Sequence, residues 1–187
     1  MRLGLLGGSF NPIHHGHLIT ATRAAEAVKL DRVLFIPAAV SPLKNGHDLA
    51  PARIRWAMLR AALRGNPIFE ACDLELRRGG VSYTVDTLRE LQSRTKARLF
   101  WILGTDAARL LPRWKSINEV RRLAEFIIVS RPGDRGFPKR PKDHIVKAPL
   151  LEISSSEIRR RARQGLSVRY FVPDPVDRYI RQKGLYR

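Results

Sequence analysis

One cysteine and two methionines are all the sulfur in this 187-residue chain. With Cys72 alone, no internal disulfide can form and no thiolate-rich zinc site can be built. The residue reads as a small buried apolar side chain. Long apolar runs are also missing. No stretch nears the roughly 18 residues that a membrane helix needs, and glycines cut the N-terminal apolar run too early for a signal peptide. These absences predict a cytoplasmic chain with no membrane contact. Acidic residues are scarce, 17 against 35 lysines and arginines, which leaves a formal net charge of +18. Such a chain attracts polyanions, whether nucleic acid, acidic membranes or phosphorylated metabolites. The charge is spread along the chain, as in Arg53, Arg55, Arg60, Arg64 and the run "RRRARQ", and solvated helix faces account for most of it. Neither G-x-G-x-x-G nor G-x-x-x-x-G-K-[ST] occurs, so the standard dinucleotide and P-loop readings fail. No zinc-finger, RRM or helix-turn-helix signature is present.

What is present is an alternation. Hydrophobic residues make up 44% of the chain, enough for a core and too many for wholesale disorder. Apolar runs at 2–8, 32–38, 97–104 and 125–133 read as buried strands. Between them, helical spacing marks 16–30, 51–65, 83–93 (starting near Thr84) and 117–124. Segment 132–149, rich in Pro, Lys and Arg, reads as an exposed loop, and 154–165 and 174–184 as C-terminal helices. Buried strands alternating with amphipathic helices predict an α/β fold, a Rossmann-like doubly wound parallel sheet with helices on both faces. No domain boundary is visible, so 1–187 is expected to be a single domain with its C-terminal helices packed on it.

Ligands of open α/β sheets sit beyond the carboxyl ends of the strands. The first strand ends at Gly7 and Gly8, where main-chain N–H groups can approach a phosphate ahead of a helix N-terminus. Three of the five histidines follow in "HHGH". His14 and His17, three apart at a helix start, can turn toward one ligand. Zinc is the rival reading, but His15 faces elsewhere and no nearby cysteine or acid completes a site. Histidines that merely cap the helix remain an alternative. The second constellation is "ISSSEIRRR". Ser154 and Glu157 have capping-box spacing. Capping does not explain Arg159, a cation near a helix N-terminus whose dipole it opposes. An anion held by the serines, free amides and Arg159 would remove that conflict. Together the two constellations describe two helix N-termini facing one polyphosphate.

These residues carry a resemblance. "GGSFNPIHHGHL" with "ISSSEIR" is similar to the nucleotidyltransferase superfamily marked by HxGH and ISSxxxR. "SPLK", "SYTVDTL", "WILGTD", "LPRWKSI", "VSRPG" and the ending "YIRQKGLYR" resemble bacterial nicotinate-nucleotide adenylyltransferases across the whole chain. Asn11 departs from a frequent aspartate, Leu43 from a histidine before the lysine, and Ser156 from a threonine. The resemblance implies transfer of AMP from ATP to nicotinate mononucleotide, with Mg²⁺ carried by ATP and no protein metal site. It implies His17 and His14 on the ATP phosphates, His17 nearest the α-phosphate, with Gly7, Gly8, Ser9 and Phe10 around them. Ser155, Ser156 and Arg159 would hold the β- and γ-phosphates, and Gly104 and Asp106 the adenosine. Lys44 would neutralise the mononucleotide phosphate. Tyr83 and Thr84 would meet the ring carboxylate through their amides, Trp114 would stack on the pyridine, and Arg131 would add charge. The alternatives are plain ones: Asp106 as a helix N-cap, Trp114 as core, Arg131 and Lys44 as solvated cations. Trp56 and Trp101 read as core. Rival functions are a phosphopantetheine adenylyltransferase-like enzyme and a basic nucleic-acid-binding module. Oligomeric state is not legible.

Overall fold

The computed structural model describes residues 1–42, 49–149 and 151–187. Six strands, β1 (Arg2–Gly8), β2 (Arg32–Pro37), β3 (Phe69–Ala71), β4 (Arg98–Gly104), β5 (Glu125–Ser130) and β6 (His144–Lys147), form one sheet in the order β3-β2-β1-β4-β5-β6. Every pairing is parallel. This is the 3-2-1-4-5-6 order of doubly wound nucleotide-binding sheets, with its switch point between β1 and β4.

The strands are apolar on both sides because both faces are covered. Leu6, Val33, Phe35, Phe100, Ile102, Ile127 and Val129 point to one face. They meet α1 (His15–Val28), α2 (Ala52–Leu63), α7 (Ser155–Arg163) and α8 (Asp174–Lys183). Their alternating neighbours Leu3, Leu5, Leu34, Ile36, Leu99, Trp101, Leu103, Phe126 and Ile128 point to the other, as the period-2 geometry of a strand requires. There they pack on α3 (Leu74–Arg78), α4 (Thr84–Arg94), α5 (Thr105–Arg109) and α6 (Ile117–Leu123).

Three elements differ from the sequence expectation. β3 and α3 occupy a stretch with no assigned element, and β6 lies inside segment 132–149, expected to be an exposed loop. In β6 only Val146 is buried, since it is an edge strand paired on one side to β5. A strand with one buried side chain among prolines and cations carries little apolar signal.

The switch point opens a cleft. β1 and β4 pair only as far as Leu6↔Ile102. Beyond that, Gly7 and Gly8 stay paired with β2, and Leu103 and Gly104 with β5. The sheet therefore splits at its centre, with glycines on both lips.

Candidate active site

Gly7 and Gly8 have different neighbours. A Cβ on Gly7 would lie 2.7 Å from the Trp101 ring, so an indole seals the floor beneath it. Gly8 is followed by Ser9 and Phe10, and Phe10 takes φ 44°, a left-handed backbone strained for a bulky side chain. The strain is held by burial: the Phe10 ring is 1% exposed, against Phe35 and edge-on to His17. The Phe10 ring is committed to the core, so any part for Phe10 in binding falls to its main chain.

α1 begins just after His14, its N-cap. The His14 N–H donates to His17 Nδ1 at 3.3 Å, and the two imidazoles stack with centroids 3.7 Å apart. With Nδ1 accepting, Nε2 is the nitrogen that carries the proton in a neutral His17 ring. Gly16 leaves room here, because a Cβ would sit 3.0 Å from the His14 ring and that ring would have to shift. The histidines therefore do cap the helix, and the capping itself sets their orientation.

The second constellation meets the first directly. Ser154 caps α7, accepting from the Glu157 N–H at 3.1 Å. Glu157 does not close a capping box; its carboxylate pairs with Arg160 at 2.7 Å. The Ser155 hydroxyl donates to the Pro12 carbonyl at 2.9 Å, and Arg159 Nη1 to the Asn11 carbonyl at 3.0 Å. Arg159 thus relieves its conflict with the helix dipole partly by spanning to the loop ahead of α1. Its buried Nε meets no acceptor among the described residues. Ser155 is refined in the same way: its hydroxyl proton is committed to Pro12, so its main-chain N–H, in the first turn of α7, is the donor left over. Ser156 is exposed at the same helix end. Asn11 Oδ1 accepts from the Tyr186 hydroxyl at 2.8 Å and from the Ala50 N–H at 3.1 Å. Burial pushes the Tyr186 phenol well above its usual range, so it stays a donor.

On the other lip, Gly104 is the N-cap of α5, and a Cβ there would meet nothing within 4 Å. Asp106 is therefore inside the first turn, and the N-cap alternative for it is set aside. Its exposed carboxylate pairs with Arg109 at 2.9 Å and lies 4.0 Å from Arg131 Nη2. The structure thus joins Arg131 to Asp106, a residue expected beside ATP.

The residues expected to meet the acceptor lie on α4 and on the turn holding Trp114. Tyr83 is the N-cap of α4, which leaves first-turn amides at Thr84 without intrahelical partners. Lys115 Nζ lies 4.3 Å over the Tyr83 ring. Trp114 is half-buried, edge-on to Trp101 and Phe126 at 6.3 Å each. Its buried Nε1–H meets no acceptor among the described residues. Trp114 is therefore linked through Trp101 to the floor beneath Gly7. Trp101 is core as expected, and Trp56 is half-buried against the opposite cluster. Lys44 falls in 43–48, outside the described residues. Cys72 is half-buried and burial pushes its thiol upward, the reverse of what an activated thiolate needs. Among the described residues no three His, Cys, Asp or Glu side chains form a metal-binding group.

Sequence reasoning missed Arg55. It is 1% exposed and donates to four carbonyls: Nη1 to Ser9 (2.9 Å) and Ala38 (2.8 Å), Nη2 to Ala39 (3.4 Å) and Nε to Ala50 (3.0 Å). Burial pulls its pKa below the ordinary guanidinium value. The signal was available, because Arg55 lies on the stripe of α2 that buries Met58, Leu59 and Leu63.

Comparison with known proteins agrees with this architecture. Residues 5–161 match the cytidylyltransferase-like family. A protein of Roseiflexus sp. strain RS-1, described as a probable nicotinate-nucleotide adenylyltransferase, is 44% identical over 99% of this chain and 98% of its own. One from Opitutus terrae, described in the same words, is 43% identical over 100% and 98%. The fold is that of a Plasmodium falciparum nicotinic acid mononucleotide adenylyltransferase solved with NaAD, with a TM-score of 0.78 over 99% of this chain and 97% of that one at 19% identity. No helix is long and apolar enough to cross a membrane among the described residues. The chain belongs to the cytidylyltransferase-like family and, within it, to the nicotinate-nucleotide adenylyltransferases.

Proposed function

We propose that the chain transfers AMP from Mg·ATP to nicotinate mononucleotide, giving nicotinate adenine dinucleotide and pyrophosphate. A phosphate oxygen of the mononucleotide forms a bond to the α-phosphorus of ATP. The bond from that phosphorus to the bridging oxygen breaks, and pyrophosphate leaves with its electron pair. The attacking oxygen is already anionic, so the reaction needs neither a protein nucleophile nor a strong general base. It needs two anions brought together and charge stabilised on the α-phosphate and the leaving group. Mg²⁺ enters with the triphosphate as part of the substrate.

The reading is carried by one observation: two segments separated by more than 140 residues are in contact at the split of the sheet, through Ser155 to Pro12 and Arg159 to Asn11. On this reading His17 donates from Nε2 to the α-phosphate and His14 supports it. Arg159, Ser156 and the Ser155 N–H hold the β- and γ-phosphates, and Lys44 meets the acceptor phosphate. Gly104 leaves room for the adenosine, whose ribose hydroxyls donate to Asp106, and Arg131 steadies Asp106. The α4 amides at Tyr83 and Thr84 bind the ring carboxylate, with Trp114 against the pyridine. The deciding experiment measures pyrophosphate release from Mg·ATP with nicotinate mononucleotide, nicotinamide mononucleotide and phosphopantetheine as separate acceptors. The carboxylate-bearing mononucleotide is expected to win clearly. Parity with the amide removes the role given to Thr84, and preference for phosphopantetheine overturns the reaction.

A further inference from the structure

Arg55 touches neither nucleotide on this reading, yet its one guanidinium fastens three main-chain segments around the cleft. Through Ser9 it holds the loop between Gly8 and His14. Through Ala38 and Ala39 it holds the chain as it leaves β2, and through Ala50 the chain as it returns, the two ends of the stretch that contains Lys44 in sequence. Two of these anchors are fastened again beyond it. The Ala50 N–H donates to Asn11 Oδ1, the Ala39 N–H donates to Ser82 Oγ, and the Ser82 N–H donates to the Val40 carbonyl. Ser82 directly precedes Tyr83 and Thr84. The node therefore lies between the donor loop and the acceptor side.

A role in folding alone does not call for an arginine. The other buried positions on this stripe of α2 are Met58, Leu59 and Leu63, and no carboxylate among the described residues pairs with Arg55 to offset its burial. What arginine supplies is a rigid planar fork, with donors at fixed angles to one another. A fork that grips three segments sets their relative positions.

We propose that Arg55 is a positioning residue that sets the approach of the acceptor phosphate to the α-phosphorus. The proposal rests on the reaction given above. It predicts a loss in turnover rather than in the binding of either substrate. The test compares the wild-type chain with Arg55→Lys and Arg55→Met, each checked for folding by circular dichroism and thermal unfolding. Separate dissociation constants for Mg·ATP and for nicotinate mononucleotide are measured by calorimetry, and kcat by pyrophosphate release. Arg55→Lys, which keeps the cation and loses the fork, should fold and lose about 10–100-fold in kcat, with each dissociation constant within about threefold of wild type. Arg55→Met should be at least as slow. The proposal is overturned by an unchanged kcat in Arg55→Lys, by a loss confined to one substrate's affinity, or by failure of both variants to fold, which would assign Arg55 to the fold alone. An inactive wild-type chain would instead remove the reaction itself.

Discussion

The two sides of the cleft are held together differently. On the donor side, the loop from Ser9 to His14 is held by Arg55 and Ala50 and, from more than 140 residues away, by Ser155, Arg159 and Tyr186, together with the Phe171 carbonyl that accepts from the His15 N–H at 3.1 Å. On the acceptor side the supports are nearer in sequence. Glu75 accepts from Thr87 at 2.6 Å, Arg78 donates to Thr87 at 2.9 Å, and Lys115 covers Tyr83. The triphosphate is common to all adenylyl transfers and needs a fixed cradle. The acceptor differs from one such enzyme to the next, and on the proposed reaction a locally built wall can change without disturbing that cradle.

The sharpest break in this comparison is His17→Ala. Losing one donor to a developing charge should lower kcat by about 10²–10³-fold while the fold survives. Pyrophosphate release beside a thermal melt checks both halves of that statement. Next is Trp114→Ala, expected to raise KM for nicotinate mononucleotide by about tenfold and leave KM for ATP near wild type, since one aromatic contact contributes roughly 0.5–1.5 kcal/mol beyond its buried area. A matching rise for ATP would make Trp114 a core residue only. Tyr186→Phe tests the long-range support. Removing the hydroxyl from Asn11 should cost about 1 kcal/mol of stability and raise KM for ATP more than KM for the acceptor.

Glu75→Gln gives the smallest effect and the clearest sign. Glu75 is 4% exposed, and burial raises its carboxyl pKa even though Thr87, Ser82 and Arg78 pull it down. The native state therefore holds this proton more tightly than the unfolded chain does. Stability is fullest below the ordinary carboxyl range, is lost as pH rises through the window between the ordinary and the raised value, and is flat above it. Gln imitates the protonated form and still accepts from Thr87. The variant should melt higher than wild type at pH 8 and close to it at pH 4, and the reverse order would remove the assigned cause.

The central strands were legible because β1, β2, β4 and β5 are buried on both faces and read as unbroken apolar runs. The histidine and serine-arginine clusters were legible because capping residues and a cation gather at two helix starts, and the structure brings the two into contact. Phe69–Ala71 was not, since three residues carry no period. Neither was His144–Lys147, an edge strand with one buried side chain. The reach of Arg159 to Asn11 lies beyond any local pattern, as does the commitment of the Ser155 hydroxyl to Pro12. Both join positions far apart in sequence and depend on how α7 lands against the sheet. Arg55 was hidden by its charge: a cation among many cations looks like surface until its neighbours on the helix are compared.

The bond from Tyr186 to Asn11 has a consequence during synthesis. Translation makes Asn11 175 positions before Tyr186. The loop ahead of α1 is thus completed by residues made much later, and until those have left the ribosome it cannot take the form it has in the folded chain.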